Sequence, residues 1–198
     1  MDPDAAPTTA GTTAGEVTRL LHAARDGDSD ALDRIMPLVY EDLRLIARRQ
    51  LRREVGDRTM RPTSLVHEAY VKLTNASALN AGDRGHFLAI AARAMRQVLV
   101  DDARRRATSK RGGSWKQITF GERDWSGGAL GADELLALND ALDQLEPRQR
   151  QVVECRFFGG MEEQEIAQTL GINERTVRRD WVKARAWLYR AIYGTTAD

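Results

Sequence analysis

Five polar side chains, Arg175, Thr176, Arg178, Arg179 and Lys183, fall on one side of a helical repeat whose other side carries Val177, Trp181, Ala184 and Leu188. An arginine offers a planar fork that can pair with the O6 and N7 edge of guanine, while lysine and threonine suit phosphate oxygens. Residues of these types near the start of one helix match a recognition helix entering the major groove. The preceding residues fit that role. Residues 162–170 have a helical period, Gly171 and Ile172 make a short turn, and a second helix follows to Ile192. Gly171 suits a left-handed turn position, Asn173 can cap the second helix, and Glu174 suits its positive end. Ile166 and Ala167 are apolar where two helices would cross. The spacing is that of a helix-turn-helix, against the plainer alternative of a helical hairpin with a charged outer face.

Other chemistry is poorly represented. His22, His67 and His86 are scattered and share no ligand spacing with cysteine, so no metal site is expected. No phosphate-binding glycine loop, dinucleotide fingerprint or nucleophile–base pattern occurs, so neither a cofactor nor enzymatic activity is expected. Cys155 is the single cysteine, which excludes an internal disulfide and fits a reducing compartment. Its neighbours Val152, Val153 and Phe157 predict a buried, inert thiol. No apolar run approaches the ~18 residues that span a bilayer, so no membrane insertion is expected. The first 15 residues lack a basic segment and an apolar segment. They predict a disordered tail rather than a secretory signal, and hence a cytoplasmic protein.

The elements that must carry these residues are all helical. The chain has 198 residues, 42% hydrophobic and 30% charged, which suits one or two small packed domains. Its net charge of +1 hides a strong pattern. Residues 88–111 carry seven Lys/Arg against two acids, residues 133–165 nine acids against three bases, and residues 174–190 six bases against two acids. Basic helical blocks are candidate phosphate-binding faces, or simply solvated ones. A first helix carries Val17, Leu20, Leu21 and Ala24 and stops at Gly27. Ser29 can cap a second, with Leu32, Ile35, Val39, Leu43 and Ile46 inward and Pro37 marking a kink or its start. A third spans about 63–73, and a fourth about 86–106. Residues 112–132 are glycine-rich, with apolar Trp115, Ile118, Phe120 and Trp125, and read as a linker. Helices follow over residues 133–145 and, after Pro147, to Phe158, before the helix-turn-helix. The expected organisation is a tail over 1–15, a helical domain over 16–111, a linker over 112–132 and a second helical domain over 133–198, an all-α fold without strands.

Over nearly all of residues 16–193 the chain resembles the extracytoplasmic-function (ECF) subgroup of the sigma-70 family. QLEPRQRQVVECRFFGGMEEQEIAQTLGINERTVRRDWVKARAWL is similar to region 4, LVHEAYVKL (residues 65–73) to the core-binding helix of region 2, and HFLAIAARAMRQVLVDDARRR to the helix that engages the −10 element. The resemblance implies a transcription initiation factor whose partners are core RNA polymerase and promoter DNA. Region 4 would read the −35 duplex through Arg175, Thr176, Arg178, Arg179 and Lys183. Region 2 would hold the melted −10 strand through Asn75 and Asn80, in a base-capturing loop over residues 74–87, and through Arg93, Arg96, Gln97, Arg104 and Arg105. Leu65, His67, Glu68 and Lys72 would meet the polymerase. In free members of the family the two domains often pack together and hide their DNA faces, commonly with an anti-sigma factor.

The sequence departs from the family where the core-binding helix begins. In place of Asp-Ala-Glu-Asp-Leu-Val-Gln-Glu it has Arg61, Pro62, Thr63, Ser64, Leu65, Val66, His67 and Glu68, so three acids are lost and an arginine is gained. Either this chain docks with Glu68 and His67 alone, or phosphorylation of Thr63 or Ser64 by a Ser/Thr kinase restores about −1.5 to −2 charges at the helix start. The plainer alternative is that Thr63 and Ser64 are simply helix caps following Pro62. The family's tryptophan in the −10 helix is replaced by Ile90. Two other functions compete: a stand-alone helix-turn-helix regulator binding DNA as a dimer, and a module that sequesters a polymerase subunit without reading DNA.

Overall fold

The computed structural model describes residues 9–28, 30–52, 60–74, 81–109 and 131–194. Among them there are only helices: α1 (Thr9–Arg25), α2 (Ala31–Arg52), α3 (Pro62–Thr74), α4 (Arg84–Ser109), α5 (Ala132–Leu142), α6 (Pro147–Val153), α7 (Glu163–Leu170) and α8 (Glu174–Tyr193), with a π-helical segment (Glu154–Gly159) continuing α6. Val17, Leu20 and Leu21 of α1 pack into the stripe of α2 made by Leu32, Ile35, Val39, Leu43 and Ile46, all buried. Gly27, with φ of +102°, turns the chain between them. Pro37 lies in the second turn of α2, where the helix lacks one backbone donor. Leu65, Val66, Ala69 and Leu73 of α3 close the other side of this layer.

The middle of the molecule is α4. Its first turn is capped by Asp83, whose Oδ1 accepts from the His86 amide at 2.8 Å. Ala91, Ala92, Ala94, Met95, Val98, Leu99, Val100 and Ala103 are all buried, more than one face of a surface helix can hide. The reason is that α4 is covered twice, by the first three helices on one side and by α5, the π segment and α7 on the other. Leu135, Leu138 and Leu142 of α5 and Phe157 and Phe158 of the π segment therefore share one continuous core with the N-terminal helices. Val152, Cys155, Ile166, Ala167 and Val177 form a smaller core inside the helix-turn-helix half.

Several boundaries differ from the sequence expectation. The first helix begins at Thr9, inside the stretch expected to be a disordered tail; a helix anchored by buried Val17 and Leu20 extends outward at one hydrogen bond per added residue. Ala132, assigned to the linker, is the first residue of α5. Residues 112–130 of that linker, with Trp115, Ile118, Phe120 and Trp125, lie outside the described residues, as does Ser29. The region beside Ser29 is instead organised by Asp28, whose carboxylate accepts from the Asp30 amide at 3.0 Å and from Arg34 at 2.5 Å. The expected regular helix from Pro147 to Phe158 widens into π geometry at Glu154 and ends in left-handed Gly160, where the Met161 amide reaches back to the Cys155 carbonyl at 3.1 Å.

Gly160 and Gly171 share nearly the same backbone, with φ of +68° and +64°, yet differ in surroundings. A Cβ on Gly171 would meet nothing within 4 Å, whereas one on Gly160 would run into the Arg49 guanidinium. Gly171→Ala should cost about 1–2 kcal/mol of stability, the penalty of left-handed backbone alone. Gly160→Ala should cost measurably more by urea denaturation, and equal losses would mean that Arg49 is not held at this turn.

Candidate nucleic-acid interface

The strongest local geometry is at the start of α8. Asn173 caps it, its side-chain oxygen accepting from the Thr176 amide at 2.8 Å. Gly171 terminates α7 in the left-handed region, and the Ile172 amide returns to the Ala167 carbonyl at 3.0 Å. Val177, Ala184 and Leu188 are buried and Trp181 half-buried, so the opposite face is fixed outward. Arg175, Arg178, Arg179 and Lys183 all stand exposed there, with Thr176 half-buried beside the cap. The expected cluster is thus assembled on one accessible face.

Two acids missed by the sequence reading organise this cluster. Asp180 is only 2% exposed and is held by Arg148 of α6 at 2.6 Å and Arg179 at 3.5 Å. Burial pushes its pKa up, but the hydrogen bonds and charges of Arg148 and Arg179 outweigh this and leave the carboxyl below its ordinary value. Glu163, the first residue of α7, joins Arg178 and Arg156, each at 2.8 Å. The helical period places Asp180 on the inward stripe between Val177 and Ala184, but nothing local identifies Arg148 of α6 as the partner that makes its burial tolerable.

The second predicted face lies on α4, and there the structure is more divided. Arg93, Gln97 and Arg104 are exposed along one stripe, and Arg105 is turned toward Asp102 at 3.2 Å. Arg96, expected on the −10 DNA, is 1% exposed and cannot reach a nucleic acid in this arrangement. Its Nη1 donates to Asn139 Oδ1 at 2.5 Å, its Nη2 to Glu154 Oε1 at 3.0 Å, and its guanidinium lies 5.4 Å from the centre of the Phe158 ring. Burial lowers its pKa, opposed by the Glu154 charge; an arginine stays protonated under such a shift. Glu154 also meets Arg150 at 3.1 Å and Arg93 at 3.8 Å. Gln50 adds a second pin, its amide donating to Ala92 O at 3.0 Å and Phe158 O at 3.3 Å, and Arg49 donates to Gly159 O and Gly160 O. Lys72, Arg93, Gln97, Arg104, Asn139 and Arg150 border a polar cleft of about 390 Å³ between the halves. The charge pattern held both ingredients, an acidic block over residues 133–165 and a basic stripe on α4, but not that they meet.

Of the residues expected to meet a polymerase, His67 and Glu68 are exposed on α3. Leu65 is fully buried and belongs to the core, a correction that follows from its place on the inward stripe with Ala69 and Leu73. Lys72 is turned to Asp101 of α4 at 2.9 Å. The exposed surface of α3 instead borders an apolar groove of about 530 Å³ against α2, lined by Met36, Pro37, Tyr40, Val66, Tyr70 and Val71. Tyr70 donates its hydroxyl to Asp33 at the groove edge. Thr63 and Ser64 are exposed in the first turn of α3. Asn75 and Asn80 fall outside the described residues. Among the described residues no group of His, Cys, Asp and Glu could hold a metal ion, and no helix is long and apolar enough to cross a membrane. Cys155 is buried, and its thiol is pushed up to about 12 by desolvation and the neighbouring Glu154.

A family model described as ECF sigma factor matches residues 14–194. No curated protein matches. Among solved structures, a chain in the structure of CnrH in complex with the cytosolic domain of CnrY is 20% identical, with 88% of this chain and 95% of that chain covered and a TM-score of 0.39.

Two measurements check the electrostatics. Glu154→Ala leaves Arg96 buried without its countercharge and should destabilise by about 3–5 kcal/mol, much of it recovered when Arg96→Met is added, as read from urea midpoints in a double-mutant cycle. For Asp180 the folded pKa lies below the unfolded one. Its stabilisation is therefore complete above the unfolded value of ~3.9 and is lost as pH falls through the folded value. Asp180→Asn should flatten the acid limb of the stability–pH curve; an unchanged limb would mean that Arg148 does not hold this carboxylate.

Proposed function

Because the chain belongs to the ECF sigma factor family, we propose that it binds core RNA polymerase and directs promoter recognition, with α8 reading the −35 duplex and α4 holding the melted −10 strand. The observation that carries this reading is the one-sided, accessible cluster of Arg175, Arg178, Arg179 and Lys183 at the capped start of α8. A recognition helix meets base edges with its N-terminal residues, as these positions would. Arg93, Gln97 and Arg104 supply a second basic stripe, suited to the backbone of a single strand.

The polymerase is proposed to dock on α3 beside the groove of Met36, Tyr40, Tyr70 and Val71, with exposed His67 and Glu68 as its polar contacts. Promoter opening then needs the second half to leave α4, since Arg96 reaches DNA only after Glu154 and Asn139 release it. Thr63 and Ser64 are accessible, and a phosphate on either would sit at the N-terminus of α3 next to Arg61, replacing acids that family members carry there. Control by a Ser/Thr kinase, or by an anti-sigma factor covering the same surfaces, follows as part of this proposal, as does action in the cytoplasm.

Run-off transcription with core polymerase on a promoter library tests the reading. Initiation that requires the protein and converges on shared −35 and −10 elements is the expected result. If unmodified protein is weak, Thr63→Glu should raise initiation, and a Thr63→Glu protein no better than wild type removes the phosphorylation step. Silence of every form, together with duplex binding without polymerase, would instead establish a stand-alone regulator.

A further inference from the structure

We propose that Glu163 is a positioning residue for sequence recognition: its carboxylate grips the side edge of the Arg178 guanidinium and so presents the end edge to a guanine of the bound duplex. The inference deepens the promoter-reading function proposed above and rests on it.

Glu163 Oε2 accepts from Arg178 Nε at 3.2 Å and from Nη2 at 2.8 Å, a two-point contact on one edge of the guanidinium. Its other oxygen, Oε1, accepts from Arg156 Nη1 at 2.8 Å. Arg156 is itself placed by Trp181, with the guanidinium 5.0 Å from the ring centre. The carboxylate is thus held from behind before it holds Arg178. It also sits at the first residue of α7, where the helix dipole favours a negative charge. The hydrogen bonds from Arg178 and Arg156 keep its acidity greater than that of an ordinary glutamate.

Arg178 nevertheless remains 65% exposed. A guanidinium carries five N–H groups in a rigid plane. With Nε and one Nη2 proton engaged by Glu163, the fork formed by one proton from each terminal nitrogen is left, and it points away from Glu163. That fork is the one that fits guanine O6 and N7. An arginine already fixed in this pose loses less conformational freedom on contact. The neighbours differ: among the described residues Arg175 and Lys183 have no hydrogen-bond or ion-pair partner, and Arg179 has only its adjacent Asp180. They suit phosphates, whereas Arg178 is preorganised for one base. A glutamate beside a DNA surface also repels phosphates, so its presence favours discrimination over general affinity.

The test uses the full chain with core polymerase and promoters randomised across the −35 element, with the initiating promoters sequenced. Wild type should select guanine at one position, and Arg178→Ala should erase that preference. Glu163→Ala and the isosteric Glu163→Gln should lower it about fivefold or more, while affinity for random-sequence duplex stays equal or rises. A merely structural glutamate would weaken all sequences alike and leave the base preference intact; that result, or a guanine preference independent of Arg178, overturns the proposal. If wild type initiates nowhere, the sigma function fails on its own account. The same randomised duplexes selected by the full chain without polymerase then decide the role of Glu163 by the same criterion.

Discussion

One buried carboxylate organises how the two halves of this molecule meet. Glu154 lies almost out of water among Arg93, Arg96 and Arg150. Burying an arginine such as Arg96 without a countercharge would be prohibitive, and a partner removed from such a pair leaves several kcal/mol uncompensated. The π-helical widening at Glu154 places this side chain where α4 can meet it, and the same segment turns Phe158 under the Arg96 guanidinium. Polar complementarity and apolar packing are therefore laid down by the same six residues.

Close approach is what makes that pairing reachable. α4 presents Ala91, Ala92 and Ala94 to its neighbours, and the π segment ends in Gly159 and Gly160. A Cβ on Gly85 would stand 2.5 Å from the Thr169 hydroxyl, so any side chain at the start of α4 would force Thr169 of α7 to shift. Gln50 and Arg49 of α2 then donate to the Phe158, Gly159 and Gly160 carbonyls, which lie at the end of the π segment beyond the reach of helical partners, and Gln50 also ties this end to Ala92 O of α4. The face of α4 proposed to meet DNA is thereby partly spent on the molecule's own second half, where Glu154 and Asp140 pair with its arginines. By contrast the basic face of α8 stays exposed, so the two surfaces proposed to read DNA are unequal in their readiness.

The helix-turn-helix was legible because its determinants are local. Asn173 as a cap, Gly171 as a left-handed residue, and the 3.6-residue spacing of Val177, Ala184 and Leu188 need only neighbours a few positions away. The all-helical class was legible for the same reason, as were most of the buried positions of α1 to α3. Less legible were residues whose role depends on a partner far along the chain. Arg96 and Arg93 look equivalent on the basic helix, yet one is buried and the other half exposed. Leu65 reads as part of a docking motif although its side chain belongs to the interior. Glu163 reads as an ordinary surface acid, and Asp180 as an acid on an apolar stripe with no partner in view, until Arg156, Arg178 and Arg148 are brought to them.

By itself the sequence determined the periodicity, the caps, the turn glycines and the segregation of charge into basic, acidic and basic blocks, because these follow from backbone geometry and composition over short distances. Only the tertiary structure decided which arginines face solvent, which acids hold them, and that the acidic block closes on the basic stripe of α4. Those choices are made by contacts such as Arg96 with Glu154, 58 residues apart. A charge is left in water or withdrawn from it according to what packs above it, and no local pattern records that.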